Sequence, residues 1–352
     1  MKIKSTFCLF ACIITIVAFF ISGCKGPEKQ GSLPEEYNME EKENMKLKEE
    51  PVQRGPLSPY TGTSVDELFT VPFCVLIENH PKARPQKGLA DADLVYEVPV
   101  EGGYTRFLAL YASPYGGEIG PVRSSRPYFA YLVKEHNGIM AHCGYSIHTE
   151  EVLKEINLKY LDERFNPLYY RREKSRKKPH NLYTSLEKLF QGAEDKNFLQ
   201  DKEEQPQPFF SFDDSLQEQE REREQTASKI EIEFSSTNSV EYRKNLQGDY
   251  IRYNNGEPFL DEETTQGIAV KNIIVQFVNI RTFTSEGHLS IKLTGEGSGF
   301  LFSEGTVEEI NWKKENEQSK TVFSGDKGEL LLSPGNTWIH LVPQNGKVNW
   351  SS

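Results

Sequence analysis

Between residues 57 and 192 short, continuously apolar runs alternate with segments of helical spacing. Phe73-Cys-Val-Leu-Ile77 is apolar throughout, the pattern of a strand buried on both faces. Leu94-Val-Tyr-Glu-Val98, Tyr104–Ala112 and Gly138-Ile-Met-Ala-His142 predict three more strands. Pro127–Glu135 sets Phe129, Leu132 and Val133 on one side of a helix. Thr149–Ile156 and Ser185–Phe190 predict two further helices, the second opening on Ser185. Strands interleaved with helices predict an α/β domain with a mixed sheet over 57–192.

From Ile230 the period changes. Ile230-Glu-Ile-Glu-Phe234 alternates apolar and charged residues, as a half-buried strand does. Val240–Tyr242, Tyr250–Tyr253, Asn272–Asn279, His288–Leu293, Gly299–Phe302 and Trp338–Val342 read as further short strands. Asn254-Asn255-Gly256 and Ser303-Glu304-Gly305 carry hairpin chemistry, and Gly295–Gly299 reads as a tight turn. A β-rich domain over 229–352 follows, in the form of a sandwich, barrel or bent antiparallel sheet. Between the two, 193–228 holds Glu-Gln-Glu-Arg-Glu-Arg-Glu-Gln at 218–225 and reads as a charged linker or insertion. The expected class is therefore α+β: an N-terminal α/β mixed-sheet domain followed by a β-rich C-terminal domain.

The first residues follow neither pattern. Lys2 and Lys4 precede an apolar run of 15 residues, Phe7 to Ile21, and then Ile21-Ser22-Gly23-Cys24. The run falls short of the roughly 18–20 residues that span a bilayer. A signal peptide over 1–23 is expected, with small residues before the cut and lipid added to the Cys24 thiol. Acylation there would hold the chain on the outer face of the cell membrane. Residues 24–56, rich in Lys, Glu, Gly and Pro, read as a flexible tether.

Charge narrows the partners. The formal net charge is −11, and −11 − 2 = −13 without Lys2 and Lys4. Nucleic acid is excluded as a partner, and an anionic membrane surface would repel the body, so a covalent anchor makes sense. Of the five cysteines only Cys74 and Cys143 fall in the folded stretch, and they read as small buried apolar residues whose pairing stays open.

No phosphate loop, dinucleotide fingerprint or nucleophile elbow is present, and His142 and His148, six apart, match no common metal-ligand spacing, so neither cofactor nor metal is expected. His136 reads as a surface residue of its helix. Trp338 is read as a core or edge residue, or as one lining a groove. His142-Cys143 points its two side chains to opposite faces of a strand, which argues against a nucleophile–base pair. The candidate chemistry is a set of polar residues near strand ends: Asn79, Glu97, Glu101, Arg106, Arg123, Ser124, Arg126 and His180. A Gly-Pro-Val-Arg-Ser-Ser-Arg turn entering a helix can bind an anion with backbone amides and two guanidinium forks. The competing reading makes Arg106 a salt-bridge partner of Glu97 or Glu101, sends Arg123 and Arg126 to loop carbonyls, and makes Ser124 a helix cap. Arg171–Lys178 puts six cations in eight residues, suited either to lipid head groups, an anionic wall polymer or a protein partner, or to a solvated loop.

Several blocks follow one another along the chain: Ile77-Glu-Asn-His-Pro-Lys-Ala-Arg-Pro-Gln86, Gly88–Glu97, Glu101-Gly-Gly-Tyr-Thr-Arg-Phe107, Ile119–Pro127, Lys178-Pro-His-Asn-Leu-Tyr183 and Ser333–Ile339. In these blocks, spread from about 57 to 343, the chain resembles the YerB-like lipoproteins of Gram-positive bacteria, which have a two-part region of unknown function. The resemblance implies the lipid anchor and the two-part split, and supplies no reaction. The leading expectation is a non-enzymatic binding or scaffold lipoprotein for an anionic envelope ligand or an exported protein partner. The alternative is an envelope enzyme acting on a phosphate-linked wall polymer, and a third is a purely structural lipoprotein.

Overall fold

A computed structural model describes residues 55–200, 207–213 and 225–352. The signal peptide, Cys24, nearly all of the 24–56 tether, and 201–206 and 214–224 of the charged stretch lie outside the described residues. The class is α+β, with a β-rich C-terminal half.

The first half contributes strands β1 (Phe73–Glu78), β2 (Leu94–Pro99), β3 (Thr105–Tyr111), β4 (Ile139–His142) and β5 (Tyr160–Asp162), and helices α1 (Pro127–Glu135), α2 (Ile147–Glu155) and α3 (Leu186–Asp195). The second contributes β6 (Lys229–Ser235), β7 (Asn238–Lys244), β8 (Tyr250–Asn254), β9 (Asn272–Thr282), β10 (Gly295–Ser303), β11 (Thr306–Lys314), β12 (Thr337–Pro343) and β13 (Lys347–Ser351). The predicted elements before Ile156 fall within a few residues of these ranges. Ser185 caps α3 by accepting from the Lys188 amide, while β11 is a strand the apolar pattern did not announce.

One mixed sheet runs through both halves in the order β11-β10-β9-β12-β2-β3-β1-β4-β5. The join is β12, which pairs in parallel with β9 on one side and β2 on the other. A second, antiparallel sheet, β8-β7-β6-β13, covers one face of this sheet together with α3. Helices α1 and α2 and the segment at Phe209–Phe210 cover the other. β1 and β3 are buried at every position and, away from the ends that carry Glu78, Thr105 and Arg106, are apolar throughout, as strands covered on both faces are.

Two expectations change and a third, Trp338 in the core, is narrowed. Gly295–Gly299 is not a turn but the first part of β10; a Cβ on Gly297 would lie 2.7 Å from the Trp312 indole nitrogen, so glycine is what lets that ring lie flat on the strand. Trp338 lines no groove: it is fully buried between the sheets. His136 is not at the surface, because the end of α1 turns it inward against Tyr96 and Phe209. Both hairpin turns hold, with Asn255 and Glu304 in the left-handed region and a glycine after each.

Candidate functional site

Strand parity sorts the polar residues. On β1 and β3 the side chains of Val75, Ile77, Phe107 and Ala109 face the second sheet, and those of Cys74, Leu76, Leu108 and Leu110 face α1. Glu78 and Arg106, which are cross-strand partners, follow the α1 set. Glu97 on β2 follows Val95 toward the second sheet.

Glu97 is therefore sealed. Its carboxylate accepts from both terminal nitrogens of Arg252, at 2.8 and 3.1 Å. It also accepts from the Thr105 hydroxyl at 2.6 Å and the Asn79 amide at 3.1 Å, and His340 Nδ1 lies 3.1 Å away. Tyr242 joins Arg252 to His340. Arg84 closes the other side through Asn79. Glu97, Arg252 and His340 are all fully buried. Burial pushes the Glu97 carboxyl up, but Arg252 and His340 outweigh it and hold it at about 2. Asn79 and Glu97 are thus internal ties between the halves, out of reach of a ligand.

The remaining candidates assemble on the α1 face and stay open to solvent in part. Arg123 Nε lies 3.2 Å from one oxygen of Glu78, and His180 Nδ1 lies 2.9 Å from the other. His180 gets there because Arg171–Arg172 pairs with Leu182–Ser185, folding the intervening loop back over the end of β1. Arg126 takes Glu101 through two nitrogens, at 2.6 and 3.1 Å, and donates also to the Ser125 carbonyl. Arg126 is also the residue before the first turn of α1, so the helix adds its positive end.

Arg106 differs from its neighbours. It is 7% exposed, donates to the Ser124 carbonyl, and has no carboxylate partner among the described residues. Burial, with Arg126 and Arg123 beside it, pulls the guanidinium down to about 10. Three guanidinium groups thus face two carboxylates, Glu78 and Glu101, both already engaged. The Arg106 reading as a salt bridge to Glu97 or Glu101 does not hold, and Ser124 takes part through its carbonyl while no side chain caps α1.

Glu78, His80 and Tyr104 complete the site and were not among the predicted residues. His80 stacks on His180 with ring centres 5.0 Å apart and packs tilted against Tyr104 at 4.8 Å. Glu78 was legible in principle: it extends the parity of Cys74 and Leu76 to the strand end, beside a run of arginines. Next to Glu101 opens a groove of about 290 Å³ lined by Tyr104, Phe234, Ile280, Leu289 and Pro343. A second hollow, of about 440 Å³, is lined by Asn279, Arg281, Ser290 and Lys292 of one hairpin and encloses no buried charge.

Elsewhere the chemistry is structural. Arg171, Arg172 and Arg176 of the basic run pair with Glu118, Glu163 and Glu262, and Arg171 and the three lysines of that run are exposed. Cys74 and Cys143 are free thiols. Burial and Glu163 push Cys143 up to about 11, opposite to what a thiolate nucleophile needs. Among the described residues no three His, Cys, Asp or Glu side chains are placed to hold a metal ion.

Two family models match the chain, the N-terminal domain of proteins of unknown function DUF3048 over residues 60–199 and its C-terminal domain over 230–339. The Bacillus subtilis (strain 168) protein YerB, whose name calls it a lipoprotein, is 33% identical over 294 residues, covering 81% of this chain and 86% of that one. The crystal structure of the Bacillus subtilis YerB protein superposes with a TM-score of 0.73 at 31% identity, covering 84% of this chain and 99% of that one.

Proposed function

This chain belongs to the DUF3048 family, with YerB as a relative, and from that premise we propose that it is a membrane-anchored lipoprotein whose folded body binds an anionic ligand of the cell envelope. The anchor rests on Ile21-Ser22-Gly23-Cys24 and on the name of the relative. Lipid on Cys24 and a tether over 24–56 would hold the body on the extracytoplasmic face.

The observation that carries the binding reading is Arg106. A buried guanidinium without a counter-charge is unfavourable, and two more guanidinium groups beside it add repulsion. Such a cluster is stabilised by an anion arriving from solvent, and Arg123, Arg126 and the start of α1 stand where they would share it. The body is acidic overall, so this local excess of positive charge marks a specific point of attraction.

Calorimetric titration of the full chain with inorganic phosphate tests the reading. Binding that screens with salt and weakens about tenfold in Arg106→Gln is expected, a loss of about 1.4 kcal/mol. Affinity unchanged in Arg106→Gln would remove the site. The Glu78–His180 pair beside the arginines favours, as a second reading, an envelope enzyme that works on a phosphate-linked polymer. Phosphorus NMR of such a polymer incubated with the chain separates the two, since binding broadens its resonances and turnover creates new ones.

A further inference from the structure

The two stacked imidazoles at the edge of the arginine cluster offer different chemistry. An ionised carboxylate can only accept, so His180 Nδ1, 2.9 Å from Glu78, carries the proton. In neutral His180 this leaves a lone pair on Nε2. A backbone amide can only donate, so His80 Nδ1, 3.1 Å from the Lys82 nitrogen, carries the lone pair. Neutral His80 therefore presents an N–H at Nε2. Neither Nε2 has a protein partner among the described residues. Both rings are partly exposed, and they stack with planes 23° apart and centres 5.0 Å apart.

Taking the anion site above as given, we propose that its ligand is a polyol phosphate, in which a phosphate group is read by Arg106, Arg123 and Arg126 and a hydroxyl close to that phosphate is read by His180 Nε2. A simple anion satisfies the guanidinium donors but has nothing to give the His180 lone pair. An alcohol donates to that lone pair, and its oxygen can accept from His80. The guanidinium groups come from β3 and from the segment leading into α1, and His80 comes from the end of β1. Donors arriving from three stretches of chain suit a tetrahedral oxyanion better than a planar carboxylate. Tyr104, which packs against His80, also lines the groove beside Glu101, so the carbon chain of the ligand has an adjoining surface to follow.

The experiment compares sn-glycerol 3-phosphate, methyl phosphate and glycerate as ligands of the full chain, titrated at neutral pH. Glycerol 3-phosphate is expected to bind at least about fivefold more tightly than methyl phosphate, in line with one hydrogen bond of about 1 kcal/mol. Glycerate is expected to bind more weakly than either. His180→Phe keeps a ring against His80 and is expected to erase the difference between the two phosphates. Equal affinity for the two phosphates in the wild-type chain would overturn the hydroxyl assignment and leave the anion site standing, and this comparison does not depend on the folding of any variant. Tighter binding of glycerate would overturn the phosphate assignment. Failure of all three ligands, and of inorganic phosphate, would remove the anion site itself. A polyol phosphate can belong to a lipid headgroup or to a polymer. Dihexanoyl phosphatidylglycerol and glycerophosphoglycerol distinguish them: a preference for the acylated compound assigns a lipid, a preference for the other assigns a polymer, and either supports the ligand class.

Discussion

Two clusters of arginine, carboxylate and histidine lie back to back on the central sheet. On one face Glu97 meets Arg252 and His340; on the other Glu78 meets Arg123 and His180, with Arg106 and Arg126 alongside. The residue types are the same and the outcomes are opposite. The first cluster is sealed, Glu97 and Arg252 pair directly, and aromatic rings of Phe107, Phe259 and Trp338 surround the Arg252 guanidinium. The second is partly open, and its cations exceed its carboxylates. A closed network around a directly paired charge marks a structural tie, while excess charge with a path to solvent marks a place for a ligand.

The sharpest way to break the comparison is to remove a partner from the sealed side. Glu97→Ala leaves Arg252 buried without a counter-charge, and a loss of roughly 3–5 kcal/mol in denaturant unfolding is expected. A loss below about 1 kcal/mol would show that the network is not the tie described. Acid should act next, and on buried groups first. Burial holds His136 and His142 down to about 4, against an ordinary 6.5. The unfolded chain therefore binds protons first, so their contribution is complete above pH 6.5 and is lost as pH falls from 6.5 toward 4. The unfolding free energy from urea titration should fall across that window by up to about 3 kcal/mol per histidine, well before Glu97 titrates near 2. His142→Gln should flatten part of the slope.

The open side should respond in the reverse sense. Arg106→Gln, expected to weaken phosphate binding about tenfold, should leave unfolding within about 0.5 kcal/mol of wild type or raise it, because it relieves repulsion among cations. A drop of several kcal/mol would make Arg106 another structural tie. The smallest effect is expected from Glu101→Gln, which frees Arg126. Phosphate should then bind about two- to fivefold more tightly, with a stability change below about 1 kcal/mol. Weaker phosphate binding would place Arg126 outside the site.

Much of this contrast was within reach of the sequence, and the part that was not has a definite cause. Arg106, Arg123, Ser124, Arg126, Glu101 and His180 were singled out because guanidinium groups gather before a helix. Asn79 and Glu97 were grouped with them because they stand at the same strand ends, yet one residue of parity sends a side chain to the opposite face of a sheet. Counting parity from Val95 would have set Glu97 apart from Arg106. Nothing local could have named Arg252 as its partner, 155 residues further along the chain. His136 was misplaced because exposure at a helix end depends on what packs there, and Phe209 arrives from beyond α3.

By itself the sequence determined strands β1 to β4 and the three helices of the first half, the capping of α3, both hairpin turns and the family, because each is written in local spacing or in contiguous motifs. Tertiary structure decided that β12 would join the halves into one sheet, that Glu97 would be sealed and Arg106 left unpaired, and that His80 and His180 would stack. Those outcomes depend on which distant strand lies opposite, and long-range pairing is chosen by the packing of whole layers rather than by any short run of residues.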